Sequence, residues 1–138
     1  MGEGAVVPSD PEEHVVSERL PPIMGAQRRA RDVVADACLR WNLAHLVAPA
    51  ALIVSELVAN AAEHAHTFMT LEVAHRGSHL YLAVRDGTST PPVQREPPPD
   101  MVVPGGRGLL LVETTATTWG WDLQSGGKIV WATLVLDS

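Results

Sequence analysis

Glu56-Leu57-Val58-Ala59-Asn60-Ala61-Ala62-Glu63-His64 sets three polar residues, Glu56, Asn60 and Glu63, among small and apolar ones. At about 100° per residue, these three fall within a helical stripe about 60° wide. Ala51, Val54, Val58, Ala61, Ala62 and Ala65 lie opposite. Pro49 suits the first turn of such a helix, where its missing N–H costs nothing, and the pattern runs to about Ala65. A stripe that merely faces water is usually broader and richer in Lys, Arg and Glu. Here Leu52 and Ile53 border it, which suits a groove with an apolar wall. Taken alone, the helix leaves both readings open.

Upstream of this helix, the spacing of Ala26, Ala30, Val33, Val34, Ala37 and Cys38 predicts a second amphipathic helix from Met24 to Trp41. Its arginines, Arg28, Arg29, Arg31 and Arg40, fall on the other face and read as solvated. Before it, Val15, Val16 and Leu20 suit a short strand closed by Pro21-Pro22. Residues 1–13 carry Gly2, Gly4, Pro8, Pro11 and four acidic residues, the composition of a flexible N-terminal tail, so the domain is expected over 14–138.

Downstream, Phe68 to Ala74 and Leu80 to Asp86 partly alternate apolar and polar residues and predict two strands joined at Arg76-Gly77-Ser78. Six of the eleven prolines then lie between 91 and 104, which excludes helix or central strand there. A short helix from Leu109 to about Ala116 follows. Two closing strands, Trp119 to Gln124 and Lys128 to Leu136, meet at Ser125-Gly126-Gly127. Helices and hairpins segregate rather than alternate. The expected fold is therefore α/β (α+β), a two-layer sandwich with a mixed, largely antiparallel sheet covered on one face by helices.

Composition narrows the function. The 138 residues are 46% hydrophobic and 19% charged, ordinary for one globular domain. A net charge of −6 argues against a nucleic-acid partner, whose phosphates demand a basic excess. Cys38 is the single cysteine, so no internal disulfide forms, and its helical position suggests inert packing. The start lacks the pattern of a signal peptide, and His45, Pro49, Ser55, Glu56 and Asn60 interrupt the longest apolar stretch, arguing against a membrane span. A cytoplasmic location is expected. His64 and His66, two apart on a helix, share no face and make a poor zinc pair.

Two further motifs accompany the helix. Gly105-Gly106-Arg107-Gly108-Leu109 is a glycine-rich turn running into a helix, where backbone N–H groups attract phosphate. It is not a dinucleotide fingerprint, since Leu111 stands where the third glycine is required, nor is Gly127-Lys128-Ile129 a P-loop. Val84-Arg85-Asp86-Gly87 ends an apolar strand on a carboxylate, which by itself is often only a turn residue.

In order and spacing, Glu56 to His64, Asp86-Gly87 and Gly106-Arg107-Gly108-Leu109-Leu110-Leu111-Val112 resemble the three nucleotide-binding boxes of the GHKL (Bergerat-fold) ATPase and kinase superfamily. Gly126 to Ala132 and Arg28-Arg29-Ala30-Arg31 extend the likeness over roughly residues 15–136. It is greatest to the short anti-sigma-factor serine kinases and their regulatory relatives in actinobacteria. The resemblance implies ATP and Mg²⁺ as cofactors. Asn60 would ligate Mg²⁺, Glu56 would orient or deprotonate the attacking hydroxyl, and Asp86 would accept the adenine amino hydrogen. Gly106, Arg107, Gly108 and Leu109 would hold the phosphates beneath a proline-rich lid. It further implies a serine/threonine kinase acting in transcription regulation, with a small antagonist protein as substrate, a sigma factor as second partner, and a homodimer. A non-catalytic, nucleotide-sensing interaction module is the alternative. Two departures stand out. Gly87-Thr88-Ser89 replaces a fuller glycine box, and Ile129 stands where these proteins commonly place a threonine near the adenine.

Overall fold

The hydrophobic spacing of the sequence is realised in a computed structural model that describes residues 14–88 and 108–137. The elements run β1 (Val15–Leu20), α1 (Ala26–Arg40), a 3₁₀ turn (Ala44–Leu46), α2 (Val47–Ala65), β2 (Met69–Arg76), β3 (His79–Asp86), α3 (Gly108–Thr115), β4 (Thr118–Gln124) and β5 (Gly127–Val135). Each predicted element is present within one or two residues of its expected bounds. The expected tail, 1–13, most of the proline-rich segment, Gly106 and Arg107 lie outside the described residues.

Among the described residues one five-stranded sheet forms in the order β1-β2-β3-β5-β4, with all four pairings antiparallel. Side chains alternate across it. Leu80, Leu82 and Val84 of β3 and Val130, Ala132 and Leu134 of β5 point to the helical side and are buried. Ser17, Thr70, Glu72, Ala83, Arg85 and Ile129 line a depression on the opposite face. The result is a two-layer sandwich with its core between sheet and helices.

α1 buries Ala26, Ala30, Val33, Val34, Ala37 and Cys38, the face that the spacing identifies. Burial pushes the Cys38 thiol up to about 11, which leaves it unreactive at neutral pH. The helix ends where Asn42 turns left-handed at φ 62° and the Leu43 N–H returns to the Cys38 carbonyl, satisfying a terminal acceptor. Its arginines are exposed, yet two of them are tethered to other elements: Arg29 pairs with Glu18 of β1, and Arg31 donates to Ser55 Oγ of α2.

α2 packs on α1, α3 and β3. By length and composition alone the window Ala44–Glu63 could cross a membrane, because its polar interruptions do not lower the average enough. Its apolarity is accounted for by the core, since Ile53, Val54, Leu57 and Val58 are each no more than 1% exposed. Two contacts fix its direction. His45, just before α2, hydrogen-bonds the Leu136 carbonyl beyond the end of β5. Thr67, just after it, accepts the Gly87 N–H at 3.0 Å beyond the end of β3. The C-terminal half of α2 is thereby carried toward the end of the sheet where Asp86 lies.

Gly127 opens β5 under a tight constraint. A Cβ there would stand 2.0 Å from the Asp86 carbonyl oxygen, a backbone atom that cannot swing aside. Gly127→Ala is expected to cost at least the upper part of the about 1–3 kcal/mol typical of overpacking. A lowered urea midpoint with an unchanged slope would show it, and an unchanged midpoint would refute the contact.

Candidate functional site

Asn60 stands where the α2 stripe turns inward. It is 9% exposed, while Glu63, one turn later, is exposed, so the stripe is not a uniformly solvated face. Its Oδ1 is buried and accepts no hydrogen bond among the described residues. A buried acceptor left alone normally costs about 1–3 kcal/mol, so such a group is normally met by water, an ion or a ligand. An amide oxygen is a hard donor of the kind Mg²⁺ takes, and that cation needs few protein ligands where phosphates and water supply the rest. The residue therefore fits the role that the resemblance implies.

Glu56 lies one turn before Asn60 and is partly buried between Ser55 and Leu57, which are 8% and 1% exposed. Burial raises its carboxyl above the usual value of 4.5, because the interior disfavours the charged form. Neighbouring Ser55 is clamped from α1. Gln27 Nε2 donates to its carbonyl at 3.0 Å and to its Oγ at 3.1 Å, and Arg31 Nη1 donates to Oγ at 3.1 Å. These bonds hold the α2 backbone at Glu56 against rotation. The sequence alone signals neither of these two partners of Ser55.

The raised carboxyl has a consequence for pH. The folded state holds the Glu56 proton more tightly than the unfolded chain does, so this group's contribution to stability is fully present below 4.5 and fades as pH rises through the raised value. A carboxyl-resolved NMR titration is expected to show Glu56 titrating above 4.5. A midpoint at or below 4.5 would contradict the burial argument.

Asp86 ends β3 on the helical side, 4% exposed. The pairing of β3 with β5 sets it opposite Lys128, whose Nζ donates to Asp86 Oδ2 at 2.8 Å with both side chains 0% exposed. Asp86 Oδ1 accepts the Thr88 N–H at 3.0 Å. The carboxylate is thus positioned from both sides. Ile129 pairs with Arg85 and lines the depression on the other face of the sheet. The reading that set Ile129 beside the base is corrected on this point: alternation along β5 turns its side chain away from Asp86, and Lys128 takes that place. In the sequence Lys128 opens the closing strand and belongs to the segment Gly126 to Ala132, with no role of its own in the site. The period-two run Lys128, Val130, Ala132, Leu134 was the signal that it points inward.

Gly108 opens α3 and Leu109 is 2% exposed, with Val112 fully buried, so the start of this helix is anchored on α2. Backbone N–H groups at such a start suit phosphate oxygens. Glu56, Asn60, Asp86, Gly108 and Leu109 thus come from α2, the end of β3 and the start of α3, three elements that meet through α2.

A family model described as "Histidine kinase-like ATPase domain" matches residues 23–134. No match is found among curated proteins. Among solved structures, the crystal structure of the RsbU and RsbW domains of Rv1364c from Mycobacterium tuberculosis is similar with a TM-score of 0.65 at 18% identity, covering 88% of this chain. This chain spans 32% of that one's length, and at such identity the likeness concerns the fold alone.

Proposed function

The chain belongs to the histidine kinase-like ATPase domain family, and we propose that it is a cytoplasmic Mg²⁺·ATP-binding regulator of transcription. In this reading it phosphorylates a serine or threonine of a small antagonist protein and holds a sigma factor by a docking surface. The observation that carries the reading is Asn60 Oδ1, a buried acceptor without a partner among the described residues, on the helix that also bears Glu56. The fold it shares with a structure containing an RsbW domain is compatible with that role.

Asn60 would hold Mg²⁺, and the bound cation supplies charge neutralisation for the phosphates. Asp86 accepts from the adenine amino group, and Gly106, Arg107, Gly108 and Leu109 hold the phosphates. Glu56 takes the proton of the attacking hydroxyl. The hydroxyl oxygen bonds to the γ-phosphorus as the bond from that phosphorus to the β–γ bridging oxygen breaks, and ADP departs. A carboxyl raised toward neutrality suits proton acceptance better than an exposed one.

The test is transfer of ³²P from γ-labelled ATP, with Mg²⁺, to candidate antagonist proteins, followed by phosphoamino-acid analysis. Label on serine or threonine supports the kinase reading. Binding of ATP without transfer to any candidate shifts the function to nucleotide-controlled partner binding. Sedimentation with and without ATP reads whether the chain forms a homodimer.

A further inference from the structure

We propose that Lys128 is a specificity-determining residue of the base site, donating to ring nitrogen N1 of adenine while Asp86 accepts from the adjoining amino group. The proposal rests on the nucleotide reading above. Every other cross-strand pair on the helical side of β3 and β5 is apolar: Val84 with Val130, Leu82 with Ala132, Leu80 with Leu134. Architecture alone is served as well by another such pair, because a buried ion pair gains little over apolar residues of similar volume. A charged pair at this one position calls for another reason.

Hydrogen-bond accounting supplies it. An ammonium has three donors and no acceptor, and a carboxylate has about four acceptor sites. Lys128 donates to Asp86 alone among the described residues, and Asp86 accepts from Lys128 and the Thr88 N–H. The pair therefore retains unused donors on one group and unused acceptors on the other, side by side at 2.8 Å and fully enclosed. The edge of adenine carries an amino donor next to the N1 acceptor, which is the complementary arrangement. No hydroxyl of β5 competes for N1, since the one it carries, on Thr133, is hydrogen-bonded with Thr118 Oγ1 of β4. Leu123, opposite Lys128 on β4, and Trp121 are 57% and 38% exposed and offer apolar surface beside the pair.

The pair is enclosed, so any base has to displace what covers it. Two nucleotides differing in a single ring atom share that cost, and their ratio isolates the N1 contact. Calorimetric titration of the wild type with ATP and with 1-deaza-ATP, which has a C–H at N1, is expected to show ATP binding about tenfold or more tighter. Lys128→Met is expected to bind the two equally. Equal binding by the wild type overturns the proposal while leaving the nucleotide reading intact. So does a variant that keeps the wild-type ratio, or one that binds ATP more tightly than the wild type, since the lysine then blocks the base. Binding of neither nucleotide overturns both. If Lys128→Met does not fold, Lys128→Thr is read against the wild-type ratio in the same way.

Discussion

Glu56→Gln is expected to lower phosphoryl transfer to the protein substrate by roughly 10²–10⁴-fold, the usual worth of a positioned general base. ATP binding should be nearly unchanged, because Gln fills the same space and the residue faces the acceptor hydroxyl rather than the nucleotide in this account. The substitution also carries a stability signature. Glu56 titrates above its ordinary value because burial disfavours its charged form, so a neutral Gln is expected to unfold at the same or a higher temperature at pH 7. Lost transfer in a protein at least as stable separates a catalytic role from a structural one. Transfer that survives the substitution removes Glu56 from the mechanism.

Asn60→Ala is expected to weaken binding of ATP in the presence of Mg²⁺ by at least about tenfold, a metal-linked loss of the size reported for disturbed metal sites. Binding without Mg²⁺ should change much less. Asn60 Oδ1 has no partner among the described residues, so removing it takes away a buried acceptor and the unliganded variant should lose little stability. A large fall in melting temperature, with affinity unaffected, would instead make Asn60 an architectural residue.

The helices were the most legible part of the sequence. The buried faces of α1 and α2 follow from residues spaced three and four apart, and the β2–β3 hairpin is announced by Gly77, which turns at φ 56°. Glu56, Asn60 and Asp86 were also visible as residue types at telling positions. The environment of Asp86 was not visible. β5 inserts between β3 and β4, a pairing between strands 42 residues apart that no local pattern specifies. Without that register, Ile129 was set near the base and Lys128 passed over. Ser55 makes a similar case: Arg31 reads as a solvated arginine and is exposed, yet its guanidinium reaches across to α2. Long polar side chains that bridge elements leave no periodic trace.

Calorimetric titration of the purified wild-type chain with ATP, with and without Mg²⁺, decides whether this fold holds Mg²⁺·ATP. Saturable binding of one ATP per chain, strengthened when Mg²⁺ is added, is the expected result. Absence of binding at millimolar ATP, with the chain folded, would contradict it and leave a member of the family that keeps the fold for partner binding alone.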